Sequence, residues 1–263
     1  MTTTLPVWWD GPADGPGNMA ADECLAEEAI AAGGPVVRVY GWTATTVSLG
    51  AFQPIAAARI EPAIAGAPLV RRPSGGGAIV HGSDLTYAAA VPKGHPLGGR
   101  PQDFYAAFHA ALVEVLDGMG VAARRCAAVE AAARGGSDAF FCFDRRAEGD
   151  VVVPQAAPTG GADAKILGSA QRRLAAAVVQ HGSLLVGRAT GVGEAARHTG
   201  LFDLHPGLAD VGADALARRW LEAVAHGLGG RVAWQPDTFA RGREARISSL
   251  AGTFGTTRWL ERR

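Results

Sequence analysis

At 263 residues, with 48% hydrophobic and 19% charged residues, the chain has the size and composition of a globular domain with a substantial core. Its 25 basic and 25 acidic residues cancel, which excludes the overall field that gathers a protein onto nucleic acid or an anionic membrane. Cys24, Cys126 and Cys142 are too few and too far apart for a disulfide framework or a CxxC zinc site, and no apolar run reaches the roughly 18 residues of a membrane span. A reducing, cytoplasmic setting is expected, with no metal, no nucleic acid and no membrane anchor.

In chain order, Asn18 followed by Asp22 and Glu23 predicts a helix start with carboxylates near the positive end of the dipole. Gly33-Gly34 supplies its stop, giving a helix over 18–32. From Pro35 to Val91 the texture turns to short β-rich runs, "VVRVYGW", "TTVSLG", "PLVRR", "AIV" and "DLTYAAAV", which predict a sheet. Phe104, Phe108, Leu112, Val115 and Leu116 recur at spacings of three and four, an amphipathic helix over 102–118. "DVVVP" reads as a strand, and "KILGSAQRR" with "AAAVVQHGSLLV" as a hairpin turning near Arg173. Between them 154–163, "PQAAPTGGAD", is a polar loop. Leu216, Trp220, Val224 and Leu228 mark another amphipathic helix, and the segment from Pro236 is predicted helical with a basic face. Strands and helices mix without βαβ alternation. That pattern predicts an α+β fold, one domain over 1–263 with a mixed, mostly antiparallel sheet flanked by helices.

The stretch "RRPSGGGAIVHGSDLTY" carries the first chemical signal. Gly75, Gly76 and Gly77 lead into a strand, so they match neither a dinucleotide-binding turn nor a Walker loop, both of which open a helix. Glycines without Cβ let a ligand lie against bare backbone, and successive N–H groups can form an anion nest. A plain glycine hairpin is the alternative. Arg71 and Arg72 are adjacent on a strand and point to opposite faces, so only one of them can face such a pocket.

Lys165 is the second signal: in a chain that strongly prefers arginine, Lys93 is its only companion. A lysine supplies a compact point charge to a carbonyl or thiolate, and a solvated strand-edge lysine is the other reading. Cys142, in "FFCFD", has the flanks of a core residue. Cys24 and Cys126 share a stretch with none of these signals and read as structural.

Taken in order, "GNMAADECLAEEA", "RRPSGGGAIVHGSDLTY", "CFD", "KILGSAQRR" and "QHGSLL" resemble the lipoate-protein ligase and octanoyltransferase superfamily, whose catalytic fold is shared with biotin protein ligases. The resemblance covers roughly 8–190; the remaining 191–263, too short and Gly-rich at its start for a separate accessory domain, reads as a helical extension packed on that core. The resemblance implies a medium acyl chain in an apolar tunnel, transferred to a lysine of a small carrier domain. Carried over, Arg72, Ser74, Gly75, Gly76, Gly77 and His81 line the acyl pocket, and Gly168, Ser169, Gln171, His181 and Gly182 complete its wall. His181 is either a proton shuttle or a structural histidine, and N–H groups of a Gly168-Ser169 turn are further donors to the carbonyl.

The cysteine-dependent branch carries its nucleophile in a "CFD"-like element, so the resemblance makes Cys142 the nucleophile and Lys165 its catalytic partner. It implies an octanoyltransferase that needs no cofactor. The donor would be acyl carrier protein and the acceptor a lipoyl-domain protein, such as glycine cleavage H protein or a 2-oxoacid dehydrogenase E2. The alternatives are an ATP- and magnesium-dependent lipoate ligase, an amidotransferase between lipoyl-domain proteins, and a non-catalytic acyl- or carrier-binding protein. The long loop at 154–163 departs from the branch's tight hairpin and leaves the Cys142 to Lys165 distance open. It reads as a lid, a docking loop or a surface insertion. Arg241, Arg243, Arg246, Arg258, Arg262 and Arg263 suit either an acidic carrier or a solvated helix face.

Overall fold

In the computed structural model, which describes residues 3–134, 139–155 and 163–262, the β-rich runs of the first half part into two sheets where the sequence predicts one. The larger sheet contains β1 (Thr3–Trp9), β2 (Val36–Tyr40), β6 (Asp84–Pro92), β7 (Arg124–Arg125), β8 (Val151–Val153), β9 (Ala164–Arg173), β10 (Ala177–Leu185) and β11 (Gly230–Trp234). Their order is β11-β1-β2-β6-β10-β9-β8-β7. The smaller one, β4-β3-β5, is built from β3 (Thr46–Leu49), β4 (Leu69–Arg71) and β5 (Ile79–His81), and α2 (Ile55–Ile60) packs Ile55 and Ala58 against it. Gly82, at φ 127°, turns the chain out of β5 and into β6, a conformation that side chains rarely adopt. Among the named strands, β1 runs parallel to β2 and β11, and β3 to β4; the other strand pairs are antiparallel.

Alternation along β6 sorts the two cores. Tyr87, Ala89 and Val91 face helices α3 (Pro101–Gly118) and α4 (Ala213–Gly227), packing with Phe104, Phe108, Leu112 and Trp220. Ala88 and Ala90 face α1 (Gly15–Ala32), and α5 (Glu244–Phe254) adds Phe254 to that side. Small side chains on this face let α1 lie close to the sheet.

The first helix begins earlier than predicted. Asp14 is its N-cap, accepting from Gly17 N–H at 2.8 Å, and Gly33 closes it at φ 69°. Asn18 and Asp22 lie inside the helix and are buried, so they serve packing rather than the dipole. Their partner is Arg38 of β2, which donates to Asn18 Oδ1 at 2.9 Å and Asp22 Oδ1 at 3.0 Å, and pairs with Asp10. Tyr40 O–H adds a 2.8 Å bond to Asp22. One buried guanidinium thus ties α1 to β2 and to the end of β1.

The segment after 190 is not purely helical. The short run "GRVAW" pairs in parallel with β1, Val7 opposite Trp234, because an open sheet edge accepts any β-competent run that reaches it. The predicted basic face of the C-terminal segment is largely neutralised within the chain: Arg243 pairs with Glu28, Arg246 with Glu27 at 2.7 Å, and Arg241 with Asp237. Arg263 and residues 156–162 of the predicted 154–163 loop lie outside the described residues. Among the described residues no helix is long and apolar enough to cross a membrane.

Replacing Arg38 by Met should leave two buried carboxylates unpaired. A urea titration is expected to show a loss of about 3–5 kcal/mol, and a loss under about 1 kcal/mol would mean that the cluster is not what holds α1.

Candidate active site

The site begins with a close approach that only glycine permits. A Cβ on Gly77 would come within 2.7 Å of Cys142 N, and one on Gly50 within 2.0 Å of Gly76 O. With both absent, the "FFCFD" segment lies along the glycine loop as a short bridge: Ala78 N–H donates to Phe140 O at 2.9 Å and Cys142 N–H to Ala78 O at 2.8 Å. A 3-10 turn over Cys142–Asp144 follows. Phe141 and Phe143 sink into separate apolar clusters, while Cys142 between them stays half-buried. The phenylalanines are core residues, and they hold the cysteine at the edge of a cleft.

Lys165 enters from β9. Its Nζ lies 3.7 Å from Cys142 Sγ, 3.2 Å from Cys142 O and 2.8 Å from Asp150 Oδ2. Both ionic side chains are buried, at 3% and 2% exposure, and the pair sits where β8 and β9 slip register at Val151/Val152. Burial opposes the charge on Lys165, but Cys142 and Asp150 outweigh it and hold the ammonium above its ordinary pKa. Asp150 is fixed in turn by Ala147 N–H at 2.7 Å and Tyr105 O–H at 3.3 Å. A Cβ on Gly168 would come within 2.5 Å of Lys165 Cε, so this glycine makes the space that the ammonium occupies.

The cleft holds about 450 Å³ including its open mouth, the size of a small-ligand site. Its floor is the face of the larger sheet at Thr86, His181–Ser183 and Gly168–Ala170; Arg72, Gly75, Gly76, Ile79 and His81 cover it. Cys142 and Gly168 stand at one end, and Met19, Tyr40 and Trp42 also line it. From β9 to β2 is three strand intervals, roughly 14 Å at the usual spacing.

His81 Nε2 lies 2.7 Å from Ser48 Oγ and its Nδ1 2.8 Å from Asp84 Oδ2, with the ring stacked 4.0 Å from Trp42. Asp84 also accepts from Thr86 and Ser183 hydroxyls, both at 2.7 Å. Burial pushes its carboxyl up, but His81 and these hydrogen bonds prevail and leave it below the ordinary range.

His181 bonds Ser74 Oγ through Nε2 and approaches Asp22 at 3.5 Å through Nδ1. Burial lowers its pKa against the pull of Asp22, which favours the neutral ring. Ser74, 3% exposed, thereby pins the glycine loop to the sheet.

Arg72 faces the cleft; Arg71, on the other face of the strand, instead reaches Gly50 O, Gln53 O and Leu260 O at 2.7–2.8 Å. Two expectations need correction. Gly168-Ser169 is not a turn: both residues lie mid-strand, opposite Ser183 and Gly182, within the antiparallel ladder. Gln171 lies away from the cleft, donating to Pro101 O at 2.7 Å and Gln180 Oε1 at 2.9 Å. Strand parity explains this, since the Ser169 hydroxyl is likewise drawn to Tyr87 and His109, both at 2.8 Å. Burial draws His109 down to about 3, so its ring is neutral. A Cβ on Gly182 would meet Ser169 Oγ at 2.3 Å, so its backbone lines the cleft and its missing side chain makes room for that network.

Cys24 and Cys126 are buried elsewhere, and burial pushes the Cys24 thiol up to about 11. Asp150, Tyr105, Asp84 and Trp42 were not anticipated from sequence. The available signals were an aspartate abutting "VVV" and another three residues past His81. Among the described residues no cluster of His, Cys, Asp or Glu could hold a metal ion.

A family profile for the lipoyl protein ligase A/B catalytic domain matches residues 14–192. Octanoyltransferase LipM of Macrococcus caseolyticus is 33% identical over 183 residues, covering 64% of this chain and 60% of that protein. The Staphylococcus aureus LipM is 31% identical over 206 residues, 70% of this chain and 67% of that protein. The chain spans about 60% of the length of the first of these relatives. The fold is that of lipoate-protein ligase A solved with ATP, TM-score 0.70 at 19% identity over 99% of each chain. It is also that of a bi-partite lipoate protein ligase from Thermoplasma acidophilum, TM-score 0.66 at 20% identity over 99% and 96%.

Two measurements probe this geometry. Gly168→Ala should displace the Lys165 ammonium and slow iodoacetamide alkylation of Cys142 at neutral pH by about tenfold, with circular dichroism unchanged; an unaltered rate would mean that the lysine does not act on the sulfur. Asp84 has a depressed folded-state pKa, so its contribution to stability is present above about pH 4 and is lost as pH falls through the folded value. Urea midpoints from pH 7 to 3 should therefore fall less steeply for Asp84→Asn than for wild type.

Proposed function

This chain belongs to the lipoyl protein ligase A/B catalytic-domain family, and from that premise we propose that it is an octanoyltransferase working through an acyl-enzyme on Cys142. The observation that carries the reading is the 3.7 Å approach of Lys165 Nζ to Cys142 Sγ at the end of an acyl-sized cleft. The relatives named octanoyltransferase, at 31–34% identity, support the same branch.

The chemistry follows from the arrangement. The ammonium of Lys165 favours negative charge on sulfur, and the sulfur attacks the carbonyl of an octanoyl thioester on acyl carrier protein. Exchange of one thioester for another is nearly neutral in free energy, and aminolysis of the second to an amide is downhill, so neither step needs a nucleotide. Lys165 then faces the carbonyl oxygen as it gains charge, inside a site where burial strengthens the interaction. The Met19, Tyr40, Trp42 and Ile79 side chains of the cleft suit an alkyl chain.

The acceptor in this reading is a lysine of a lipoyl-domain protein, such as glycine cleavage H protein or a 2-oxoacid dehydrogenase E2. The Thermoplasma ligase was solved in a study of its own E2 lipoyl domain, which supports that class of acceptor. A thiol nucleophile also suits a reducing cytoplasm. A single functional domain is supported by β11, which extends the sheet beside β1, and by Trp220 of α4, which packs on Tyr87 and Phe108.

Incubation with octanoyl-acyl carrier protein, without ATP, should add one octanoyl group to wild type and none to Cys142→Ala by intact mass. The adduct should be released by hydroxylamine. Lys165→Gln should slow its formation by about 10²–10³-fold. Absence of adduct with a competent donor and reduced protein would overturn the covalent transferase and favour a ligase. A ligase would consume lipoate and magnesium ATP and tolerate Cys142→Ala.

A further inference from the structure

Buried cations in this fold are neutralised unequally. Arg38 meets Asp10 and Asp22, and Lys165 meets Asp150. Arg72, only 3% exposed, has no carboxylate partner among the described residues. Its terminal nitrogens donate to Ser48 O, Ser48 Oγ, Gly75 O and Gly77 O, while Nε–H is buried and meets no acceptor among the described residues. Asp84, the nearest carboxylate through bonds, is separated from it by His81 and Ser48, and already takes bonds from His81, Thr86, Ser183 and Gly82 N–H. An uncompensated buried charge is costly, so its retention calls for a reason.

Position supplies one. Arg72 and Cys142 line the same cleft. Gly77, whose carbonyl takes a 2.8 Å bond from Arg72, lies so near Cys142 that a Cβ would come within 2.7 Å of its backbone nitrogen. Burial draws Arg72 down to about 10, and among the charges around it Cys142 pulls hardest the other way, with Tyr40 adding to it and Arg71 opposing. Lys165 is matched by Asp150, whereas Arg72 has no carboxylate in contact among the described residues. A thiolate at Cys142, or an oxyanion next to it, would supply the negative charge that Arg72 lacks nearby.

The geometry points to Arg72 as a second catalytic cation, which holds from the glycine-loop side the negative charge that passes from the Cys142 sulfur to the carbonyl oxygen it attacks. This rests on the acyl-transfer reading above. In the step, a sulfur lone pair forms the new C–S bond and the carbonyl π pair moves onto oxygen. Collapse returns that pair as the carrier's C–S bond breaks, and the departing sulfur takes the proton that Cys142 gave up.

The test compares wild type, Arg72→Gln and Arg72→Lys, each verified as folded by circular dichroism. Gln keeps donors for the loop carbonyls but removes the charge, whereas Lys keeps the charge. The first readout is the ratio of Cys142 alkylation rates with anionic iodoacetate and neutral iodoacetamide. The ratio should fall by about tenfold in Arg72→Gln and by less than about threefold in Arg72→Lys. Single-turnover acylation by octanoyl-pantetheine should slow by about 10²–10³-fold in Arg72→Gln. An unchanged ratio, or equal slowing with both reagents as loss of loop shape alone would cause, overturns the proposal. Should Arg72→Gln not fold, Lys165→Gln decides: with Arg72 in place its ratio should exceed that of free cysteine, and equality overturns the proposal. If wild type takes no octanoyl adduct, the octanoyltransferase reading fails, while the alkylation ratio still decides whether Arg72 acts on charge at Cys142.

Discussion

The approach of the Cys142 backbone to Gly77 is the contact on which the site depends. A β-carbon at that glycine would overlap Cys142 N at 2.7 Å, so any other residue would push the cysteine away from the sheet. The same contact joins the start of β5, in the smaller sheet, to the segment that precedes β8, in the larger one. Gly168 plays the complementary part on β9, leaving the volume that the Lys165 ammonium fills. Cys142 and Lys165 therefore meet through the absence of two methyl groups, one at Gly77 and one at Gly168.

Around that contact, and apart from Arg72, several buried charges are held in closed sets. Arg38 satisfies Asp10, Asp22 and Asn18, while Asp84 collects His81, Thr86 and Ser183. Asp150 takes Lys165, Tyr105 and a backbone N–H. Each set keeps a buried charge from being stranded, which would cost several kcal/mol. Each set also ties together elements distant in the chain: Asp84 joins β5 to β10, and Arg38 joins α1 to β2. These networks make the walls of the cleft stiff, as the proposed delivery of a carbonyl to the Cys142 sulfur requires.

Much of the architecture was legible because hydrophobic periodicity reports burial directly. Phe104, Phe108, Leu112 and Leu116 announced a helix that runs from Pro101 to Gly118, and the β9–β10 hairpin turned where its sequence said it would. The split of the β-rich region into two sheets was not legible. Strand propensity says that a run is extended, not which neighbour it pairs with, and Gly82 redirects the chain through a single dihedral angle. The start of α1 was misplaced for a related reason. Asn18 and Asp22 are good capping residues, but here they are claimed by a guanidinium on another strand.

The sequence by itself determined the fold class, the ordered motifs that mark the family, and which residue types carry chemistry: an isolated lysine, a glycine triplet and a cysteine between phenylalanines. Tertiary structure alone decided that Cys142 and Lys165, 23 positions apart across a long insertion, stand 3.7 Å apart. It also assigned Asp150 to the lysine, turned Gln171 away from the cleft and left Arg72 without a carboxylate among the described residues. The physical reason is that composition and periodicity encode whether a side chain is buried. Which charge meets which is fixed by strand register and by the few places where a missing β-carbon lets two backbones touch.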